Sequence, residues 1–445
     1  MSKKTKSPKK KSSVRHTRAI QRDRSKHPLV APPPDQVTAR LKEVILPAAQ
    51  AEQDTAHHLF GVRARKLTLV VMLAFVLSLI WRQMGNLSDG IRLLNTEGLL
   101  WTAAVSVSQQ ALSQRFGSLP AELFLRVLVA VLPVFHARWQ DRQRPLPPEL
   151  AWAQAHYTQI LACDGSTLEA LLRQVGLLRG LPVHPLAGRM TALLDLCSRL
   201  PCHVWYEDDP DAHDQRFWQR IVAALKAGTL LIFDLGYTNF KVFAQLTAAK
   251  VIFITPAKRN LAYKVERYLR RTANVHDMWV WVGAGEDRQL LRLVQVLYRG
   301  AWYRYLTNEL DAEQLPTAYV VALYWQRWRI EDAYAIVKRL LGLAYFYSGS
   351  ENAVCLQLWG TWMLYAVLVD LTDAVAEALQ KPFAAISMEM IYRSLYFFGQ
   401  AVRCGEATDL VTYLVANADW LGLLKRKRRR LSFELLQGLT NAAGP

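Results

Sequence analysis

With 445 residues, half of them hydrophobic, the chain can hold two or three domains and bury a large core, which excludes a wholly disordered protein. A formal charge of +18, from 55 Lys and Arg against 37 Asp and Glu, excludes an acidic solvating chain. It points to a polyanionic partner, with nucleic acid ahead of an acidic membrane surface.

The first 27 residues contain eleven Lys or Arg and one acid, Asp23. Residues 1–35 show no hydrophobic period and end in APPPD, so a disordered basic tail is expected there. No apolar stretch follows the basic residues, which argues against a signal peptide. From about 36 to 150 the pattern is helical. LTLVVMLAFVLSLIW (67–81) is fifteen residues, short of the roughly 20 that a spanning helix needs. LFLRVLVAVLPVF (123–135) is shorter and contains Arg126. Both read as core helices, and a basic membrane-associated protein is the weaker rival. Ser106 to Phe116, followed by SLPAELF, fits either one arm of a helix-turn-helix or a solvated helix.

Near residue 157 the texture changes. YTQILACDGST is apolar and β-branched and meets Asp-Gly; RMTALLDLCSRL and CHVWYED read as two further strands. HDQRFWQRIVAALKAG has helical spacing and a C-cap candidate in Gly228. TLLIFDLGYT is a buried strand, NFKVFAQLTAAK a helix, and VIFITP a strand stopped by proline. This alternation predicts a mixed α/β sheet over 151–345. VHDMWVWVG, RLVQVLYRG and WYRYLTNEL predict a small antiparallel insertion at about 275–311. The helical period resumes from about 318 to 343 and continues through an apolar helix, LWGTWMLYAVLVDLTDAVAEAL, into a helical C-terminal region, 346–445, with a basic run at 425–430. Five cysteines (Cys163, Cys197, Cys202, Cys355, Cys404) show no CxxC pair and no histidine at metal spacing. They read as reduced, buried thiols of a cytosolic protein.

Three acids stand where chemistry can use them. Asp164 and Asp234 each close an apolar strand, and Glu331 lies within the aromatic, basic stretch YWQRWRIEDAYAIVK (324–338). Asp before Gly at a strand end is also an ordinary turn residue. Two strand-end aspartates and a helix glutamate can equally converge as hard oxygen ligands for divalent cations, which activate a nucleophile for in-line displacement at phosphorus. On a helix, Tyr324, Arg327, Glu331 and Lys338 fall within an arc of about 60°. Arg327 and Lys338 suit phosphates, and Tyr324 can donate or stack. An Arg327–Glu331 surface pair is the plainer alternative. Trp325 has the period of a core residue. Trp328, beside the polar face, either supports the cleft or stacks on an exposed base.

Tyr324, Arg327, Glu331 and Lys338 match in full the YREK signature of bacterial insertion-sequence transposases, the DDE enzymes of the insertion-sequence-four family. ILACDGST resembles the first-aspartate strand of that family, LLIFDLGYTNFKVFAQL its second-aspartate region, and WYRYLTNEL the strand before its glutamate helix. The resemblance covers about 157–345. It implies a ribonuclease-H-like core with a β insertion, a helical end-binding region at 36–150, and a catalytic triad of Asp164, Asp234 and Glu331 holding two Mg²⁺ or Mn²⁺ ions. It implies DNA contacts from Tyr324, Arg327 and Lys338. The implied partners are terminal inverted repeats, target DNA and a second copy of the chain in a synaptic complex, with no membrane and a nucleoid-associated cytoplasmic location. The activity implied is cut-and-paste strand cleavage and transfer, with a hairpin on the element end as one route. A transposase-derived repressor that no longer cuts is the rival.

Overall fold

The computed structural model describes residues 34–62, 65–84, 86–169, 186–209, 211–343, 346–348, 350–425 and 433–441. The expected tail, apart from Pro34 and Asp35, and residues 426–430 of the C-terminal basic run lie outside the described residues. Among the described residues six helices precede the sheet: α1 (Pro34–Phe60), α2 (Leu69–Trp81), α3 (Leu87–Thr96), α4 (Gln109–Ser118), α5 (Glu122–Asp141) and α6 (Pro148–His156). Three of them start where the side chain of Thr68, Asn86 or Ser108 accepts the backbone N–H three residues on, satisfying one otherwise unpaired donor. The apolar run at 67–81 becomes α2, only 13 residues long and buried along most of its length. In α5 the charge of Arg126 is met by Glu52, 2.6 Å away. Helices α4 and α5 meet at a 72° bend. Leu112 and Phe116 of α4 are buried while Gln109, Gln110, Ser113 and Gln114 are exposed, so the helix is anchored on one face.

One sheet contains every named strand of the described residues: β1 (Gln159–Glu169), β2 (Leu186–Asp195), β3 (Pro201–Glu207), β4 (Thr229–Phe233), β5 (Ile252–Pro256), β6 (Tyr263–Arg271), β7 (Val275–Val282), β8 (Gln289–Tyr298) and β9 (Ala301–Thr307). Its order is β3-β2-β1-β4-β5-β9-β8-β7-β6. Strands β1, β4 and β5 run parallel at the centre, and the remaining pairs are antiparallel. Helix α7 (Trp218–Ala224) links β3 to β4, and α8 (Phe240–Ala248) links β4 to β5. The fold is therefore mixed α/β, as its sequence pattern predicts.

Two expectations need correction. The antiparallel insertion does not begin at 275, and through β9, which pairs with β5, it extends the central sheet. Its outermost strand, β6, starts at Tyr263 and was missed. As an edge strand with two irregularities in its pairing, β6 leaves residues of both faces exposed and carries no alternation to read. The cysteines also differ from expectation: Cys163 and Cys197 are buried, Cys202 and Cys355 are half-buried, and Cys404 is exposed; all five are free thiols.

After the sheet come α9 (Thr317–Trp325), α10 (Trp328–Ala335) and a π-helical turn, Ile336–Leu340. The long helix expected over 318–343 is thus broken at Gln326–Arg327. Then follow α11 (Glu351–Ala378), α12 (Met388–Arg403), α13 (Leu410–Ala416) and α14 (Phe433–Asn441). Helix α11 is long and apolar enough to cross a membrane, yet its most apolar window is 94% buried inside the protein. It packs so closely on α2 that a Cβ at Gly360 would stand 3.2 Å from Val76 Cγ1. Its two buried acids are met by arginines: Asp370 by Arg142 at 2.6 Å, and Asp373 by Arg142 at 3.2 Å and by Arg144.

The sheet divides the core. On one face, Ala162, Ile232 and Ile254 pack with Ile330, Ala333 and α11. On the other, Leu161, Cys163, Leu231 and Phe233 pack with Trp218 and Ile221 of α7 and Phe243 of α8. Consecutive strand residues point to opposite faces, so Asp164 lies on the α10 side and Gly165 on the α7 side.

Candidate active site

Parallel pairing of β1 with β4 brings the two aspartates together. The last paired residues are Cys163 and Phe233, so Asp164 and Asp234 follow directly from neighbouring positions of adjacent strands. This is the C-terminal edge of parallel strands, where open α/β sheets place their ligands. Asp234 stands at the strand end, as expected. Asp164 does not: β1 continues to Glu169, still paired with β2, and Asp164 lies opposite Ala192. The Asp-Gly step is not a turn.

Glu331 comes from α10, which packs on β1. Arg327, in the break before that helix, donates from Nη1 to Asp164 Oδ2 at 3.0 Å and from Nη2 to Glu331 Oε1 at 2.8 Å. Tyr324 donates to Asp234 Oδ1 at 3.3 Å. Lys338, in the π-turn, donates to Ser166 Oγ at 3.0 Å and to the Thr167 carbonyl at 2.9 Å. The seven positions singled out in the sequence therefore split. Asp164, Asp234, Glu331, Tyr324 and Arg327 form one network. Lys338 lies beside it, one residue pair further along β1. Trp328 is 57% exposed, with Arg327 Cζ 5.7 Å from its ring centroid, which rules out a core strut. Trp325 is half-buried, its indole N–H donating to Tyr305 Oη at 3.2 Å.

Sequence reasoning missed Tyr334. It is buried and donates to the Asp164 carbonyl at 2.6 Å, while its oxygen accepts from the Ala192 N–H at 3.1 Å. It thereby fixes α10 to the backbone of Asp164. Its spacing of three from Glu331 on one helix was the available signal.

The electrostatics follow from burial and crowding. Burial pushes the Asp164 carboxyl up to about 6; the Arg327 cation and the Gly165 N–H oppose this, while Asp234 and Glu331 add to it. Burial likewise pushes the Tyr324 hydroxyl up to about 12. Burial would lower the guanidinium of Arg327, but Tyr324 and the carboxylates outweigh it and hold it above its ordinary value. Arg327 Nε is buried without a hydrogen-bond partner, so the bound guanidinium is not fully satisfied where it sits.

The donor chemistry, three carboxylates, fits a hard divalent cation. Among the described residues, however, no three of His, Cys, Asp or Glu lie close enough to hold one ion. The Arg327 guanidinium stands between Asp164 and Glu331 and supplies the positive charge there.

Residues 187–367 match the family "Transposase DDE domain", a span that includes Asp234, Tyr324, Arg327, Glu331 and Lys338 and begins after Asp164. Over 188 residues the chain is 29% identical to the curated protein "Putative transposase y4zB" of Sinorhizobium fredii (strain NBRC 101917 / NGR234), covering 37% of this chain and 51% of that protein. The chain thus spans about half the length of this relative. A solved structure of the piggyBac transposase synaptic complex with hairpin DNA is similar at a TM-score of 0.40 and 10% identity, covering 88% of this chain and 86% of that one.

Proposed function

We propose that the chain is a DNA transposase of the insertion-sequence-four type, with a ribonuclease-H-like catalytic core. The observation that carries this reading is that Arg327 bridges Asp164 of β1 to Glu331 of α10 while Tyr324 binds Asp234 at the end of the neighbouring parallel strand. The match of residues 187–367 to a transposase DDE domain supports it.

In this reading the three carboxylates hold Mg²⁺ or Mn²⁺. When bound, the ions supply charge at the scissile phosphate and a lowered pKa for the attacking water or hydroxyl. Arg327 has two jobs: it neutralises the acids in the free protein, and once displaced it is placed to grip a phosphate beside the cut. Lys338 and Tyr324 offer a further cation and a hydroxyl donor for the DNA backbone. Trp328 offers an exposed ring for a base. The first cut frees a 3′-OH, which attacks either the opposite strand of the same end, closing a hairpin, or target DNA. The helical region before the sheet binds the element ends, and synapsis of two ends pairs two copies of the chain on DNA.

The test is cleavage of a duplex carrying the inverted repeats that flank the gene, in Mg²⁺ and in chelator. Metal-dependent nicking at the repeat boundary, abolished by Asp234→Asn, supports the reading. Specific binding without any cleavage would favour the rival, a repressor derived from a transposase.

A further inference from the structure

Asp214 touches both glycines that accompany the two aspartates, and it does so from the far side of the sheet. Gly165 follows Asp164, and Gly236 stands two residues after Asp234. A Cβ at Gly236 would lie 2.7 Å from Asp214 Oδ2, and one at Gly165 would lie closer still to Oδ1. Real side chains do not approach that closely, so each glycine is there to admit one oxygen of the same carboxylate. We infer that Asp214 is a positioning residue that sets the separation of the Asp164 and Asp234 backbones. The inference rests on the reading of those two residues as metal ligands.

The sheet itself leaves this job undone. The paired positions of β1 and β4 end at Cys163 and Phe233, one residue before the aspartates. Beyond that point Asp214 bridges the two segments. It opens a 3-10 turn, Asp214–Phe217, that is tied to the loop after Asp234. Gln215 Nε2 donates to the Thr238 carbonyl at 3.1 Å, and Trp218 Nε1 donates to the Tyr237 carbonyl at 3.0 Å. On its other side Asp214 forms an ion pair with Arg189 of β2, and Arg189 Nη1 reaches Thr167 Oγ1 at 3.4 Å. The far face of β1 is thus held at Gly165 and Thr167 by Asp214 and Arg189. The near face is held at Asp164 and Ser166 by Arg327 and Lys338. A wedge of fixed size between β1 and the end of β4 decides how far apart the carboxylates in front of it can stand.

The test is Mn²⁺ binding to the full chain without DNA, read as the half-maximal concentration for the metal-induced rise in melting temperature. A purely structural residue moves the starting midpoint and leaves that concentration alone. Asp214→Ala is expected to raise it about tenfold or more, as removal of groups behind metal ligands does. Asp214→Asn keeps the shape and is expected to restore most of the affinity. Gly236→Ala is expected to reproduce the loss on its own but to add nothing in the Asp214→Ala background, because a Cβ at Gly236 meets no side chain other than that of Asp214. Wild-type affinity in Asp214→Ala, or losses that simply add, would overturn the inference while leaving the metal site intact. A wild-type protein that shows no Mn²⁺ response overturns the metal-site reading itself, and the role of Asp214 with it.

Discussion

Arg327 joins Asp164 to Glu331: one amino group lies 3.0 Å from the strand carboxylate and the other 2.8 Å from the helix carboxylate. With 7% and 17% of the two side chains exposed, the Arg327–Asp164 pair is largely desolvated. Removing one partner of such a pair costs about 3–5 kcal/mol, because the other charge stays buried. Arg327→Ala is therefore expected to lower stability markedly at about pH 8. At about pH 5 the loss should shrink, since Asp164, already pushed up to about 6, then carries a proton and needs no counter-charge. Chemical denaturation at the two pH values checks this. An equal loss at both would mean that the guanidinium acts through packing alone.

The raised Asp164 carboxyl has a direct consequence for metal. Its folded value of about 6 lies above the unfolded carboxylate value near 3.8, so the native state binds this proton more tightly. Through this group, acidification between about pH 6 and 4 favours the folded form, and the contribution is lost as pH rises through about 6. A cation must displace the same proton. Below pH 6, Mn²⁺ affinity should therefore fall about tenfold per pH unit for each proton displaced. Asp164→Asn should bind more weakly at every pH and with a flatter profile. A wild-type affinity that ignores pH across that range would remove Asp164 from the ligand set.

Replacing any one acid should separate cutting from binding. Asp164→Asn, Asp234→Asn and Glu331→Gln keep shape and remove a charged oxygen donor, so metal-dependent cleavage should drop below detection. Phosphate and base contacts survive, so retention of end DNA in a gel-shift assay should change by less than about tenfold. Cleavage by the triple variant in Mg²⁺ would sink the assignment.

Much of this was legible in the residues. Apolar β-branched runs and helical spacing are local patterns, and they placed β1, β4, α8 and α11. The spacing of Tyr324, Arg327, Glu331 and Lys338 also pointed to a converging set, though for the wrong reason. No single helix face carries them, because the chain breaks at Gln326–Arg327 and turns again in a π-helical segment. What could not be read was whatever depends on distant neighbours. Gly165 looks like half of an Asp-Gly turn until Asp214, 49 positions on, is seen against it. Edge strand β6 hides because its pairing leaves both faces open to solvent, so no alternation marks it.

Trp328 completes the set. It begins α10 next to Arg327 and is 57% exposed, so it makes little of the core. Exposed substitutions away from special features change stability by within about 0.5 kcal/mol, and Trp328→Ala should fall in that range. A large ring in water beside a phosphate-gripping cation suits a base that has left its stack, a contact worth about 1–3 kcal/mol. Such a base appears only once the DNA end is cut and sharply bent. Trp328→Ala should therefore leave first-strand nicking close to wild type and slow the following step by about 5- to 150-fold, the kinetic equivalent of that contact. Phe or Tyr at this position should recover part of the rate. Time courses that resolve nicked, hairpin and released products measure each step separately. Equal slowing of every step, unrelieved by Phe, would mean that the ring serves the protein and not the DNA.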